Sequence, residues 1–110
     1  MNTSKKAGLE RSGWAVGDTA RFLKLSAQEA HFVELKLALA AGARQLREQR
    51  GMTQAALAVQ LGSSQSRVAK MEAADRSVTV DLMMRSLLAM GATPGEIAKL
   101  IKHVETRRAA

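Results

Sequence analysis

The stretch "GMTQAALAVQLGSSQSRVAKME", Gly51 to Glu72, decides how this chain folds. Its apolar residues follow helical spacing, but a glycine, Gly62, and three serines interrupt them in the middle. Gly62 adopts the left-handed backbone conformation of a tight turn without steric cost. The pattern therefore predicts one helix over residues 54–61, a second over 65–73, and a helix-turn-helix formed by the pair.

Capping and packing residues stand where such a motif needs them. Thr53 is placed to cap the first helix, and either Ser63 or Ser64 to cap the second. The side chain of Ala58 is expected at the crossing of the two helices, where a larger residue would push them apart. Val68 is expected to fill the opposing core position. The residue type at each of the three positions, Ala58, Gly62 and Val68, therefore has a steric explanation.

Composition limits the class of protein. The 110 residues suit one domain, and 46% hydrophobic residues suffice for a core. The absence of Cys excludes disulfides and thiolate chemistry and fits a reducing cytoplasm. No apolar run approaches the roughly 20 residues that span a bilayer, so we expect no membrane contact. The start, "MNTSKKAGLERSGW", lacks the apolar run of a secretory signal.

The charge balance points to a polyanionic partner. The chain has 17 basic and 10 acidic residues, a net charge of +7 and a pI of about 10.6. Its aromatic residues are only Trp14, Phe22 and Phe32, too few to stack successive bases of a single strand. Double-stranded DNA therefore fits the composition better than a single strand does, although a basic surface that is merely solvated would look the same.

Helical patterns extend along nearly the whole chain, which predicts an all-α fold. We expect a flexible N-terminal segment over residues 1–16, a helical extension over 17–40 and the domain that contains the helix-turn-helix over 41–108. Within the extension, Asp18 is placed to cap a short helix that ends near residue 25.

A long helix is predicted to begin at the capping-box pattern of Ser26–Glu29 and to run to about Arg50. Gly42 is expected to kink or divide this helix, and Gly51 to end it. Its apolar face is predicted to contain Phe32, Leu35, Leu39 and Leu46, with Val33 and Leu37 beside them.

Two further helices are predicted after the motif. One is capped by Thr79, runs to Met90 and ends at Gly91; the next begins with a capping box at Thr93–Glu96 and runs to about Thr106. The last helix carries an apolar stripe of Ile97, Leu100, Ile101 and Val104. This stripe either closes the core of the same domain or forms a dimer surface.

Residues Arg47–Ala92 resemble the Xre/Cro-type helix-turn-helix family. "RGMTQAALAVQLGSSQSRVAKME" is similar to the family pattern R-G-(apolar)-T-Q-x-x-L-A-x-x-L-G-x-S-Q-S-x-(apolar)-x-x-(apolar)-E. The resemblance implies a compact five-helix, lambda-repressor-like domain with an N-terminal helical extension. One residue departs from it: the family usually has Gly in E-x-G, where this chain has Ala74. Because Ala disfavours a positive φ, we expect the turn to move to Asp75 or to change shape.

The resemblance also implies which residues meet DNA. The second helix of the motif is expected to enter the major groove. The residues expected to read bases are Ser64, Gln65, Ser66, Arg67 and Lys70. The residues expected to contact phosphates are Thr53, Gln54, Arg76, Ser77 and Thr79.

Alternatives to these roles remain open. Gln65, Arg67 and Lys70 are alternatively plain surface residues, and the residues after the motif alternatively serve only as caps and turns. Three arginines of the long helix, Arg44, Arg47 and Arg50, are interpreted as a solvated face that can add long-range attraction to DNA.

The family resemblance implies a sequence-specific transcriptional regulator that binds a palindromic operator as a dimer, most simply a repressor. The N-terminal extension is similar to that of HigA-type antitoxins, whose partner is often a RelE-like toxin. The apolar residues that either contact such a toxin or pack back on the domain are Trp14, Phe22, Leu23, Leu25 and Phe32. The alternatives are a stand-alone Xre-type regulator and a helical interaction adaptor.

Enzymatic chemistry is not expected. The two histidines, His31 and His103, are far apart and fit no metal-ligand spacing, and no phosphate-binding glycine loop occurs. We therefore predict no cofactor, no metal and no catalytic residue.

Overall fold

The computed structural model describes residues 26–109, with side chains over 26–105, and this part of the chain contains helices and no strand. The helices are α1 (Ala27–Gln49), α2 (Gln54–Leu61), α3 (Gln65–Glu72), α4 (Val80–Ala89) and α5 (Pro94–Ala109). The all-α fold is thus confirmed. The short helix predicted after Asp18 and the apolar residues Trp14, Phe22, Leu23 and Leu25 lie outside the described residues.

Each helix begins at the cap that the sequence predicts. At four helices the hydroxyl of a Ser or Thr accepts the backbone N–H three residues later, at 3.0–3.3 Å: Ser26, Thr53, Ser64 and Thr79. At α5, the Thr93 hydroxyl accepts the Glu96 N–H and the Glu96 carboxylate accepts the Thr93 N–H, a complete capping box. Hydrogen bonding of the carboxylate to the backbone N–H and the side chain of Thr93 lowers the pKa of Glu96.

Three helices end at a glycine with positive φ, as predicted for Gly51, Gly62 and Gly91. In each case the backbone N–H of the residue after the glycine bonds a carbonyl of the last helical turn, at 2.8–3.1 Å. This is the Schellman arrangement, which satisfies carbonyls that the end of a helix leaves unpaired.

The end of α3 has the same arrangement without a glycine. Ala74 itself adopts the left-handed conformation, with φ 55°, so the expected shift of the turn to Asp75 was wrong. The N–H of Ala74 bonds the Met71 carbonyl at 3.0 Å, and the N–H of Asp75 bonds the Lys70 carbonyl at 2.9 Å. An alanine here carries a steric penalty that a glycine would not.

Helix α1 is the spine of the domain and packs against α3, α4 and α5. It is not divided at Gly42, contrary to one of the two expectations for that residue. A Cβ atom at Gly42 would lie 2.5 Å from Cδ1 of Leu100, so the glycine lets α5 approach α1 closely. Phe32 is 56% exposed and lies outside the core, so the predicted apolar face was wrong at that residue.

The core lies where α1 to α5 meet. Its largest fully buried apolar side chains are Leu57, Val68, Met71, Met83 and Leu87. On α5, Ile97 and Val104 are buried and Leu100 packs against the core, whereas Ile101 is 40% exposed. Most of the apolar stripe therefore closes this core, and the helix continues past the predicted end at Thr106 to Ala109.

Two negative findings apply to the described residues. None of their helices has the length and apolar character needed to cross a membrane. They also contain no group of three or more His, Asp or Glu side chains close enough together to hold a metal ion.

Candidate nucleic-acid interface

Helix α3 separates its buried side chains from its exposed ones. Val68 and Met71 are completely buried and fix the helix on α1 and α2. The exposed residues are Ser64, Gln65, Ser66, Arg67 and Lys70. The structure thus brings the predicted base-reading residues together on one solvent-facing surface, the α3 face, with the first four of them at the N-terminal end of the helix.

A hydrogen-bond chain reaches Gln65 on this face from inside the domain. Glu72 at the end of α3 accepts the Gln54 amide N–H at 3.1 Å, and the Gln54 carbonyl accepts the Gln65 amide N–H at 2.7 Å. A carboxylate only accepts hydrogen bonds, so it orients the Gln54 amide with its nitrogen inward and its oxygen outward. That oxygen in turn fixes the nitrogen of Gln65, whose own Oε1 and second N–H stay available.

Arg47 supports the inner end of this chain. Its guanidinium donates Nε to Oε2 of Glu72 at 2.5 Å and Nη2 to Oε1 at 3.1 Å, a bidentate ion pair. The side chains of Arg47 and Glu72 are only 13% and 4% exposed. Nη1 also donates to the Met52 carbonyl at 2.7 Å, which ties the turn between α1 and α2 to the same arginine. The hydrogen bonds to Glu72 raise the pKa of Arg47.

Arg47 is therefore not part of a solvated face. The interpretation of Arg44, Arg47 and Arg50 as a solvated face was wrong for Arg47. Arg44 is exposed and pairs with Glu48 on its own helix at 2.9 Å. Arg50 donates Nε to the Met90 carbonyl at 3.2 Å and so holds the end of α4.

The residues predicted to contact phosphates lie at the start of α2, in the loop after α3 and at the cap of α4. The hydroxyls of Thr53 and Thr79 accept a backbone N–H as helix caps, and each still has its own O–H to donate. Gln54 is half-buried and committed to the chain described above. The hydroxyls of Thr53 and Thr79 can therefore still donate a hydrogen bond to a phosphate oxygen.

The loop between α3 and α4, residues 75–77 and hereafter the exit loop, is more constrained. Arg76 and Ser77 are exposed. The Asp75 carboxylate accepts the Ser77 backbone N–H at 2.9 Å and its hydroxyl at 2.7 Å. These bonds lower the pKa of Asp75, and they commit the O–H of Ser77 within the loop. Ser77 is thus exposed, but its hydroxyl stabilises the turn.

Lys36 reaches the exit loop from α1. Its ammonium donates to the carbonyls of Asp75 and Arg76, each at 3.3 Å. Burial of the Lys36 side chain lowers its pKa, and the nearby Asp75 carboxylate opposes that shift.

Sequence reasoning missed Lys36, Arg47 and Glu72, although a signal for two of them was present. Lys36 and Arg47 both fall on the stripe of α1 that is otherwise buried, four residues from Ala40 and from Ala43 respectively. A cation on a buried stripe requires a partner in the interior. The partner itself was not predictable from spacing, because it comes from another helix.

A comparison with known protein families agrees with the helix-turn-helix fold. A family model described as a helix-turn-helix domain matches residues 38–100, more than half of the chain. The matched range contains α2, α3 and the exit loop. No curated protein and no solved structure matched the chain.

Proposed function

We propose that this chain, which belongs to the helix-turn-helix domain family, is a sequence-specific transcriptional regulator that reads double-stranded DNA with α3 in the major groove. The family membership makes it a DNA-binding protein. The observation that carries the finer proposal is the chain from Glu72 through Gln54 to Gln65, because it orients a surface amide before any DNA is present.

The free atoms of Gln65 match one base. Adenine offers an acceptor at N7 and a donor at N6 in the major groove, and a glutamine amide satisfies both with one N–H and one carbonyl. Those are the two groups that the bond to Gln54 leaves available. Ser64, Ser66, Arg67 and Lys70 stand beside it as further base-reading candidates, with the guanidinium of Arg67 suited to guanine.

Phosphate contacts frame this readout. We assign them to Thr53 and Gln54 at the start of α2, and to Arg76, Ser77 and Thr79 after α3. The backbone N–H groups at the start of a helix suit an anion, and Arg76 adds a full positive charge. To donate to a phosphate, the Ser77 hydroxyl has to give up its hydrogen bond to Asp75.

We further propose a homodimeric repressor on a palindromic operator, with residues 41–108 as the DNA-binding domain and 17–40 as its extension. A single module buries only about 600–1,000 Å² on DNA, which favours two copies on two half-sites. Ile101 is the member of the α5 stripe most open to a second copy, because it is 40% exposed.

The test is a fluorescence-anisotropy titration against the duplex directly upstream of the chain's own gene, with random duplex as competitor. We expect binding that survives the competitor, and Gln65→Ala to weaken it by about 1–3 kcal/mol and to relax selectivity at one base pair. Gln28→Ala, which removes an exposed glutamine at the start of α1, is the matched control. Equal weakening by Gln65→Ala on operator and random duplex would contradict base reading.

A second candidate function is neutralisation of a RelE-like toxin encoded beside the gene. It is favoured by the 56% exposure of Phe32 and by a cleft of about 560 Å³ between α1 and α5, lined by His31, Leu35 and Ile101 among others. If the adjacent gene encodes a small nuclease, co-purification should retain it on the wild-type chain. Phe32→Ala should weaken that retention without changing DNA affinity.

A further inference from the structure

We infer that Lys36 is a positioning residue for DNA binding, which holds the exit loop in the conformation that presents Arg76 to the phosphate backbone. The inference rests on the proposed placement of this loop beside DNA. It adds a residue of α1, outside the helix-turn-helix, to the machinery of binding.

The first support is the geometry of the Lys36 contacts. One ammonium donates to two successive carbonyls, those of Asp75 and Arg76, from a position some 40 residues earlier in the chain, at 3.3 Å each. An ammonium has three N–H donors, so it can hold both carbonyls at once. Two successive peptide groups are thereby turned toward α1, which fixes the backbone on either side of the Arg76 Cα atom.

The second support is the burial of the residues at both ends of the exit loop. Ala74 and Val78 are 5% and 3% exposed and anchor the loop in the core. Between them the Asp75 carbonyl also accepts the Val78 N–H at 3.1 Å, whereas Arg76 and Ser77 lie exposed. Lys36 therefore contacts the middle of a short, exposed segment whose ends are already fixed.

The third support is electrostatic. Asp75 places a carboxylate in the same loop as Arg76, and a carboxylate repels phosphate. The Lys36 cation lies close enough to interact with that carboxylate and partly offsets its charge. Because the ammonium is turned toward two carbonyls of the loop, its effect on DNA is exerted through the loop.

The experiment compares Lys36→Met, which keeps the stem and removes the donors, with Lys99→Met, which removes the same charge from an exposed position on α5. Affinity is measured by anisotropy on the upstream duplex and on random duplex. We expect Lys36→Met to lose about tenfold on both duplexes, because phosphate contacts carry no sequence preference. Lys99→Met should lose less than about threefold, the effect of one distant charge. Equal losses in the two variants would overturn the inference.

A double-mutant cycle with Arg76→Ala separates positioning from direct contact. If Lys36 acts through Arg76, Lys36→Met should weaken binding less than about twofold once Arg76 is alanine. An undiminished tenfold loss in that background would show that Lys36 itself meets the phosphate, and would overturn the inference.

Lys36→Arg serves as the rescue variant, since a guanidinium also donates to two carbonyls. It should bind within about threefold of wild type, although its fork differs from an ammonium. A loss equal to that of Lys36→Met would count against carbonyl clamping. Circular dichroism confirms that each variant is folded at the assay temperature. A wild-type chain without salt-dependent affinity for any duplex would instead defeat the proposed function, and the inference with it.

Discussion

The two turns that flank α3 reach the same backbone conformation by different means. At the N-terminal turn, Gly62 has φ 64°, and no heavy atom of the described residues beyond its chain neighbours lies within 4 Å of the place a Cβ would take. At the C-terminal turn, Ala74 has φ 55° and is only 5% exposed. The first turn is made by local chemistry, and the second is imposed by packing and by cations from α1.

The difference shows where the stability of the α3 face comes from. The N-terminal turn needs only a glycine and a Ser64 cap, so it forms from its own residues. The C-terminal turn needs Arg47 at Glu72 and Lys36 at the loop carbonyls, because its alanine alone disfavours the conformation. One end of the helix is therefore specified by sequence neighbours and the other by the tertiary fold.

Removing the tertiary support should have the largest effect. Arg47→Met leaves the Glu72 carboxylate buried without its cation, so we expect the free energy of unfolding to fall by about 3 kcal/mol or more. Urea denaturation followed by circular dichroism measures it. Arg44→Met breaks an exposed ion pair on the same helix and should change the free energy of unfolding by less than about 0.5 kcal/mol. Similar losses in both variants would mean that the buried pair does not support α3.

Changing the local turn should have an intermediate effect. Gly62→Ala introduces a Cβ at positive φ with no packing to compensate it, so we expect a loss of about 1–2 kcal/mol. Thermal unfolding at constant pH measures it, with Gly95→Ala, a first-turn substitution at the start of α5, as the control. An unchanged melting temperature would show that the turn relaxes to another conformation.

The reciprocal change should have the opposite sign. Ala74→Gly relieves the left-handed strain but gives up a buried methyl worth roughly 0.8 kcal/mol and adds freedom to the unfolded chain. We expect a net stabilisation of about 0.5 kcal/mol, measured by the same urea titration. A clear loss of stability would mean that the buried methyl of Ala74 contributes more stability than the left-handed strain costs.

The smallest effect concerns pH. The hydrogen bonds from Ser77 lower the pKa of Asp75 in the folded chain, so its stabilisation is complete above the ordinary carboxyl pKa of about 3.9 and is lost as pH falls through the lowered value. Asp75→Ala should therefore lower the melting temperature slightly at neutral pH. The difference in melting temperature between Asp75→Ala and wild type should become smaller below about pH 4. A gap that is independent of pH would show that the charge of Asp75 is immaterial.

The contrast between the two turns also explains which features of the structure were predictable from the sequence alone. The caps Ser26, Thr53, Ser64 and Thr79 and the three helix-ending glycines were predictable, because each acts within a few residues of itself. The positions of the exposed residues on α3 followed from helical periodicity. The partners of Lys36 and Arg47 did not, since both pair across about 25 to 40 residues of chain.

Gly42 is a second example of a residue whose role the sequence alone does not reveal. A glycine within a helical pattern predicts either a weak point or a close neighbour, and sequence does not distinguish the two. Here the neighbour is Leu100 of α5. Only the packing of α1 on α5 reveals why the residue is small.

The bond between Gln54 and Gln65 has a consequence for how this protein could acquire a new target. If Gln65 changes to a residue with no donor, Glu72 still holds the Gln54 amide nitrogen, but the outward-facing Gln54 carbonyl loses its partner. If Gln54 changes alone, Gln65 loses the constraint that selects its rotamer. We therefore expect altered preference for DNA sequence to arise through paired substitutions, so that single-site libraries at residue 65 would sample few useful variants.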